Sequence, residues 1–179
     1  MEATIRAFLR YGPKKITMND VAEDAGLARK TIYVAFENKD NLLAEMVRYI
    51  GRKQLTRVAE AWQNCTTLAE KLKAYTQIVV LEPFDALQAA DDPQEMVNIH
   101  GEAGHAAYRD IREIHIVMWA EQLTRYESSL EWAGTTQSRL ARFIVTTNQN
   151  LKRSETNRER LVEQLEDLHL AVLTLTGVR

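Results

Sequence analysis

Cysteine is nearly absent from this 179-residue chain: the one thiol, Cys65, has no partner for an internal disulfide. Prolines number three and glycines seven, while Ala, Leu, Glu, Arg and Gln are plentiful, a balance that favours helix over strand. No run approaches the roughly 18 uninterrupted apolar residues of a membrane span. The longest candidate, IREIHIVMWA, is cut by Arg112, Glu113 and His115. The opening MEATIRAFLRYG spreads charge through what would be the apolar core of a signal peptide. A GxSxG elbow, a phosphate loop and an HExxH pair are all missing. His100, His105 and His115 lack zinc-ligand spacing, and Cys65 has no CxxC partner. An enzyme, a metal centre, a cofactor and a membrane association are therefore not expected, and the expected setting is the cytoplasm.

Charge is present but uneven. Residues 1–57 hold eleven Lys and Arg against seven Asp and Glu, whereas residues 58–179 hold twelve against eighteen. The amino-terminal piece is suited to face a polyanion and the remainder is not.

Apolar spacing divides the chain into helices. Residues 3–11 place Ile5, Phe8 and Leu9 on one side, and Gly12-Pro13 is a stop. Thr17 and Asp20 have capping-box spacing ahead of a short helix over 18–25, which Gly26 is placed to end in a left-handed conformation. A third helix covers 28–36, and a fourth begins near Asp40 and carries Leu42, Leu43, Met46, Val47 and Ile50. The short turn between the second and third makes a helix-turn-helix, whose second helix suits a major groove about 12 Å wide. Further on, Thr67 with Glu70 caps 68–81, and Pro83 separates that segment from 84–90. Asp91-Asp92-Pro93 and the Gly101/Gly104 pair mark breaks, and a strongly apolar helix runs from Ala106 to Leu130. Two helices, 136–151 and 157–176, close the chain, the last capped by Thr156 with Glu159. The expected fold is all-α: a three-helix DNA-binding domain over residues 1–50 and a larger helical domain over 51–179.

In the third helix, Ile32 and Phe36 are four apart and are expected to share a buried face with Leu27 from the turn. Arg29 with Tyr33, and Lys30 with Val34, then point elsewhere. Arg29 and Lys30 suit G O6/N7 or phosphates, Val34 suits a thymine methyl, and Thr31 and Tyr33 offer hydroxyls to phosphate oxygens. Lys39, entering the next helix, adds a phosphate contact. Taken singly, each is an ordinary surface cation or packing tyrosine; their combination opposite a buried pair points to duplex DNA.

The stretch GPKKITMNDVAEDAGLARKTIYVAFENKDNL, residues 12–42, resembles the DNA-binding region of the TetR family of bacterial transcriptional repressors. The likeness spans Gly12, Thr17, Asp20, Val21-Ala22, Ala25-Gly26-Leu27, Thr31-Ile32-Tyr33, Phe36, Lys39 and Leu42, with Phe8 matching the aromatic of the first helix. It implies a recognition helix over 28–36, with Thr31, Tyr33 and Lys39 at phosphate positions; Thr17 joins the expected DNA-binding set. Ala28 departs from the family's usual serine-like cap, and Ala35 from a histidine or tyrosine that reaches the backbone. The resemblance also implies a symmetric homodimer on a palindromic operator, released by a small-molecule effector.

For the subunit interface the stripe Leu161, Leu165, Leu168 and Val172 is expected, with Leu170 and Leu173 widening it. For the effector, an apolar cavity with a few polar directors is expected among Tyr75, Met96, His100, Tyr108, His115, Met118, Trp119, Gln122 and Tyr126. That set suits a small apolar or aromatic compound, and the acidic balance of the region favours a neutral or cationic one. The alternative is a helical protein-binding or structural module that has lost specific DNA binding.

Overall fold

Residues 1–89 and 101–178 are described by the computed structural model, and among them ten α-helices and no strand occur. They are α1 (Glu2–Lys15), α2 (Met18–Asp24), α3 (Arg29–Phe36), α4 (Lys39–Trp62), α5 (Leu68–Thr76), α6 (Glu82–Gln88), α7 (Glu102–Leu123), α8 (Glu127–Trp132), α9 (Gln137–Ser154) and α10 (Arg158–Thr176). A π-helical turn, Gln77–Leu81, joins α5 to α6, and a 3₁₀ turn, Thr124–Tyr126, joins α7 to α8. None of the described helices is long and apolar enough to cross a membrane.

The helices form two compact units, each with its own core. The first comprises Met1–Lys53 with the described part of Phe84–Ile111; the second comprises Gln54–Pro83 with Arg112–Arg179. The first segment of the first unit ends at Lys53, and the chain returns to that unit after Pro83. The close approach of α4 and α7 accounts for that return. A Cβ built on Gly51 would lie 2.6 Å from Ile111 Cγ2, so glycine is what lets the Ile111 side chain rest against the α4 backbone. Ala107, fully buried, packs in the same core.

Within the first unit, Ala7, Phe8, Ile16, Val21, Ala22, Ile32, Leu42 and Met46 are enclosed. Gly12 leaves helical conformation (φ 75°, ψ 164°), so α1 ends where expected and resumes for one further turn through Pro13. At α2 the capping box is complete: Asp20 N–H donates to Thr17 Oγ1 at 3.2 Å, and Asp20 Oδ2 accepts from the Thr17 N–H at 2.8 Å. Gly26, at φ 65°, ends that helix in a Schellman motif: Leu27 N–H donates to Ala22 O and Gly26 N–H to Glu23 O.

In the second unit, Leu68, Leu72, Tyr75, Trp119, Leu123, Leu130, Ile144 and Val172 are among the enclosed residues. Several boundaries differ from expectation, each for a local reason. The helix expected over 68–81 becomes π-helical at Gln77 because Pro83 has no N–H for the carbonyl four residues back and its ring crowds that carbonyl. The helix expected to reach Leu130 tightens at Thr124, whose hydroxyl bonds back to Ala120 O at 3.3 Å. Gly101 (φ 104°) precedes α7, but Gly104 lies buried inside it. Asn157, not Thr156, caps α10, its side chain accepting from Arg160 N–H at 3.0 Å. The break expected at Asp91-Asp92-Pro93 lies outside the described residues.

Gly51→Val is expected to destabilise the chain by about 1–3 kcal/mol, because Ile111 is β-branched and has little rotamer freedom with which to retreat. Urea unfolding measures this; an unchanged midpoint would mean that α4 and α7 do not approach at Gly51.

Candidate functional site

The third helix is eight residues long and is held to its unit by one fully buried side chain, Ile32 at 4% exposure, and by Phe36, which is half-buried. Leu27, expected beside them, is 50% exposed, because the Schellman turn carries it past the core before α3 begins. Arg29, Lys30, Thr31 and Ala35 are exposed, Tyr33 is 39% exposed and Val34 76%. The outward face therefore gathers two cations, two hydroxyls and one aliphatic side chain on a helix whose opposite side is locked. Arg29 Nη2 donates to Tyr33 Oη at 3.3 Å and its guanidinium lies 5.1 Å from the tyrosine ring centroid, so the pair forms one preorganised element.

Both ends of α3 are unusual. Ala28 stands at its N-cap with no side-chain acceptor, leaving the helix's positive end open. At the other end Glu37 adopts φ 61°, ψ −51°, and Asn38 N–H donates to Phe36 O at 2.6 Å, a γ-turn that reverses the chain in one residue. Asn38 Oδ1 then accepts from Asn41 N–H at 2.9 Å and opens α4.

Two residues of the expected DNA-binding set carry local duties. Thr17 donates its only hydroxyl proton to Asp20 Oδ2 at 2.7 Å. Lys39 Nζ donates to Pro13 O at 3.2 Å and Lys14 O at 3.1 Å, closing the end of α1 and leaving one N–H. The Thr17 role follows from its capping-box spacing, whereas that of Lys39 was not legible from neighbouring residues, since its acceptors lie 25 and 26 positions away.

In the second unit the structure brings Tyr75, His115 and Trp119 together. Tyr75 Oη and His115 Nδ1 are 3.0 Å apart, in a hydrogen bond whose direction follows the histidine tautomer. The Tyr75 and Trp119 ring centroids are 5.2 Å apart and those of Trp62 and Trp119 4.8 Å apart, both edge to face. Met118 and Tyr126 pack at the margin of this core, and Gln122 Oε1 accepts from Lys71 Nζ at 2.6 Å. Tyr108 falls in the first unit and is 44% exposed, while Met96 and His100 lie outside the described residues.

Lys152 is the interior residue that its sequence context hid. Its ammonium donates to Val79 O at 3.1 Å, the carbonyl to which Pro83 has no N–H to give. Burial lowers Lys152 to about 8. Burial, with the nearby Lys152 charge, lowers His115 to about 4 and keeps it neutral at pH 7; burial lowers His169 to about 4 as well. Among the described residues no three His, Cys, Asp or Glu are grouped to hold a metal ion.

The interface stripe requires a correction. Leu161, Leu165, Leu168 and Val172 are at most 5% exposed, enclosed by their own chain, because α10 packs that side against α5, α8 and α9. On α9 and α10 the large apolar residues that face outward are Phe143 at 48% and Leu170 at 64%; elsewhere in the unit Ile114, Val117 and Trp132 are exposed too.

Residues 1–46 match the family described as bacterial regulatory proteins, tetR family. They are also similar to a probable acrEF/envCD operon repressor of Escherichia coli K12, at 44% identity over 46 residues, 26% of this chain and 21% of that protein. Over nearly the whole length the fold resembles the fatty acid degradation regulator FadR of Bacillus halodurans, with TM-score 0.71 and 16% identity, covering 96% of this chain and 91% of that one. It also resembles the transcriptional regulator FadR of Bacillus subtilis, solved in complex with stearoyl-CoA, with TM-score 0.64 and 18% identity, covering 98% and 94%. The family match thus covers residues 1–46, and the full-length likeness is one of fold.

Between pH 6.5 and about 4 the unfolded chain binds protons at His115 and His169 that the folded chain refuses. Stability is therefore expected to fall as pH drops through that window, and His115→Gln to flatten the slope. Urea midpoints at pH 7 and pH 5 for the two proteins measure it; identical slopes would place the effect elsewhere.

Proposed function

We propose that this TetR-family chain is a transcriptional repressor that binds a palindromic operator as a homodimer and releases it when a small, largely apolar or aromatic effector binds. The observation that carries the reading is the outward face of α3: Arg29, Lys30, Thr31, Tyr33 and Val34 exposed around a buried Ile32. Its physical logic is a division between positioning and reading. Tyr33 and Thr31 offer hydroxyls suited to phosphate oxygens, while Val34, 76% exposed, suits a thymine methyl. Lys30 is a long donor one turn from Val34 on the same side, suited to a guanine edge. Lys39 and Thr17 reach phosphates in this reading with what their local hydrogen bonds leave: one ammonium proton for Lys39, and the backbone neighbourhood of the α2 cap for Thr17.

One recognition helix reads only a few base pairs, so the reading needs two. With the inner stripe of α10 enclosed, the outward sides of α9 and α10, marked by Phe143 and Leu170, are the surface proposed for the partner subunit. The effector is proposed to bind in the second unit, around Tyr75, His115, Met118, Trp119, Gln122 and Tyr126. The stearoyl-CoA complex of the structurally similar Bacillus subtilis regulator supports a ligand in this fold. For such a compound to release DNA it must bind the low-affinity conformation more tightly than the operator-bound one. Helix α4 carries residues of both units and is the proposed carrier of the change.

Selection of duplexes from a random library at about 0.1 M salt is expected to return inverted half-sites whose centres lie one helical turn, about 34–36 Å, apart. Lys30→Ala should then cost about 1–3 kcal/mol on the selected site and relax its preferred bases, whereas Tyr33→Ala should weaken all duplexes alike. Recovery of no preferred sequence would remove the repressor reading.

Phe143→Asp with Leu170→Asp is expected to yield a folded monomer in sedimentation at micromolar concentration, with weak operator binding. A variant that remains dimeric would place the interface on another face.

A further inference from the structure

Three helices of the second unit each send a pair of groups, four residues apart and hence on one side, into the same part of the core. The turn from α5 into the π-helical segment presents Tyr75 and, one turn on, the Val79 carbonyl. Helix α7 presents His115 and Trp119; helix α9 presents Asn148 and Lys152. These pairs are linked: Tyr75 Oη to His115 Nδ1 at 3.0 Å, Lys152 Nζ to Val79 O at 3.1 Å, and Tyr75 to Trp119 ring against ring at 5.2 Å. The Lys152 charge lies close enough to His115 to oppose its protonation.

Within this layer the polar groups do not balance. Among the described residues, the fully buried Trp119 has no acceptor in full hydrogen-bond geometry for its indole N–H, which is directed toward the Tyr75 hydroxyl, and Asn148, 1% exposed, has no donor for Oδ1. Lys152 has three protons to give, its hydrogen bond is to a neutral carbonyl, and it forms no salt bridge among the described residues. An ammonium taken from water without a counter-ion is among the costlier arrangements a core can hold. The charge of the surrounding sequence gives no hint of it, since residues 58–179 are acidic overall.

We propose that this layer is the headgroup site of the effector, and that the effector is a monocarboxylic acid with an apolar body whose carboxylate pairs with Lys152 and accepts from the Trp119 indole. The inference rests on the effector reading above and sharpens it from a neutral or cationic compound to an anion. One ammonium and one neutral donor match a single negative charge; a polyphosphate head would need further cations that this layer does not hold. Tyr75 and His115, neutral and bonded to each other, border the carboxylate without opposing it. Lys152 is only partly enclosed as a residue, so the ammonium is approached along its own stem. Burial now weakens its basicity, to about 8, and a carboxylate beside it restores it.

Calorimetric titration of the intact chain at pH 7, without DNA, tests this. The probes are a panel of apolar-bodied monocarboxylates such as 4-phenylbutyrate and cyclohexanecarboxylate, each paired with its primary amide. At least one acid is expected to bind about tenfold or more tightly than its amide, and Lys152→Met to equalise the two. Should that variant not fold, Asn148→Asp places an internal carboxylate one turn away on α9 and is expected to abolish the preference for acids. If every acid binds the native chain no more tightly than its amide, or if the preference survives in the folded variants, Lys152 is a cap for the Val79 carbonyl and nothing more. The duplex measurement is separate: an acid held through Lys152 that leaves operator affinity unchanged keeps this site and removes release by that acid. Conversely, a chain with no preferred duplex leaves the acid measurement standing.

Discussion

Neither α2, with seven residues, nor α3, with eight, is long enough to persist alone, since isolated helices below about 12–15 residues are marginal in water. What holds them is the burial of a few side chains in a shared core, Val21 and Ala22 from one and Ile32 from the other. Everything the amino-terminal unit presents to solvent depends on that anchoring. With Ile32 fixed, the rotation of α3 about its own axis is fixed too, and Val34 and Lys30 have a single direction in which to project. The Gly26 Schellman turn and the Glu37 γ-turn set the two ends of the helix by backbone geometry, so that the missing cap at Ala28 does not loosen its placement.

A different constraint organises the second unit. Pro83 interrupts the hydrogen-bond ladder of the α5 segment, the backbone answers with a π-helical turn, and a lysine from a segment 73 residues away in sequence supplies the missing donor. The consequence is an ammonium held on a backbone carbonyl within electrostatic reach of the His115 ring. Neutral His115 and the Tyr75 hydroxyl sit beside it because an additional charge there would face the same desolvation. Structure and chemistry are joined at that point: the repair of a backbone defect also puts an anion-seeking group where the effector is proposed to bind.

Much of the fold was legible in the sequence, because the signals were local. Thr17 with Asp20 and Thr67 with Glu70 form the capping boxes that their spacing implies, each within four residues. Gly26 takes the left-handed turn, Gly12 breaks α1, and the pattern of Ile32 and Phe36 against Arg29, Lys30 and Val34 gives the two faces of α3. These features depend on backbone sterics and on side chains within a turn of one another, and no distant partner is needed to produce them.

Only the tertiary structure decided which surface each apolar stripe meets. Leu161, Leu165, Leu168 and Val172 have a periodicity that serves a subunit interface and an internal core equally well, and it is the packing of α5, α8 and α9 on that side that enclosed them. Leu27, expected inward beside Ile32 and Phe36, is carried outward by the turn. The acceptors of Lys39 and Lys152 are backbone carbonyls brought from remote segments, and a carbonyl leaves no mark in the sequence. The amino acids determined where helices begin, end and turn polar; the fold determined which of their polar groups were left inside without a counterpart, because that balance is a property of neighbours in space.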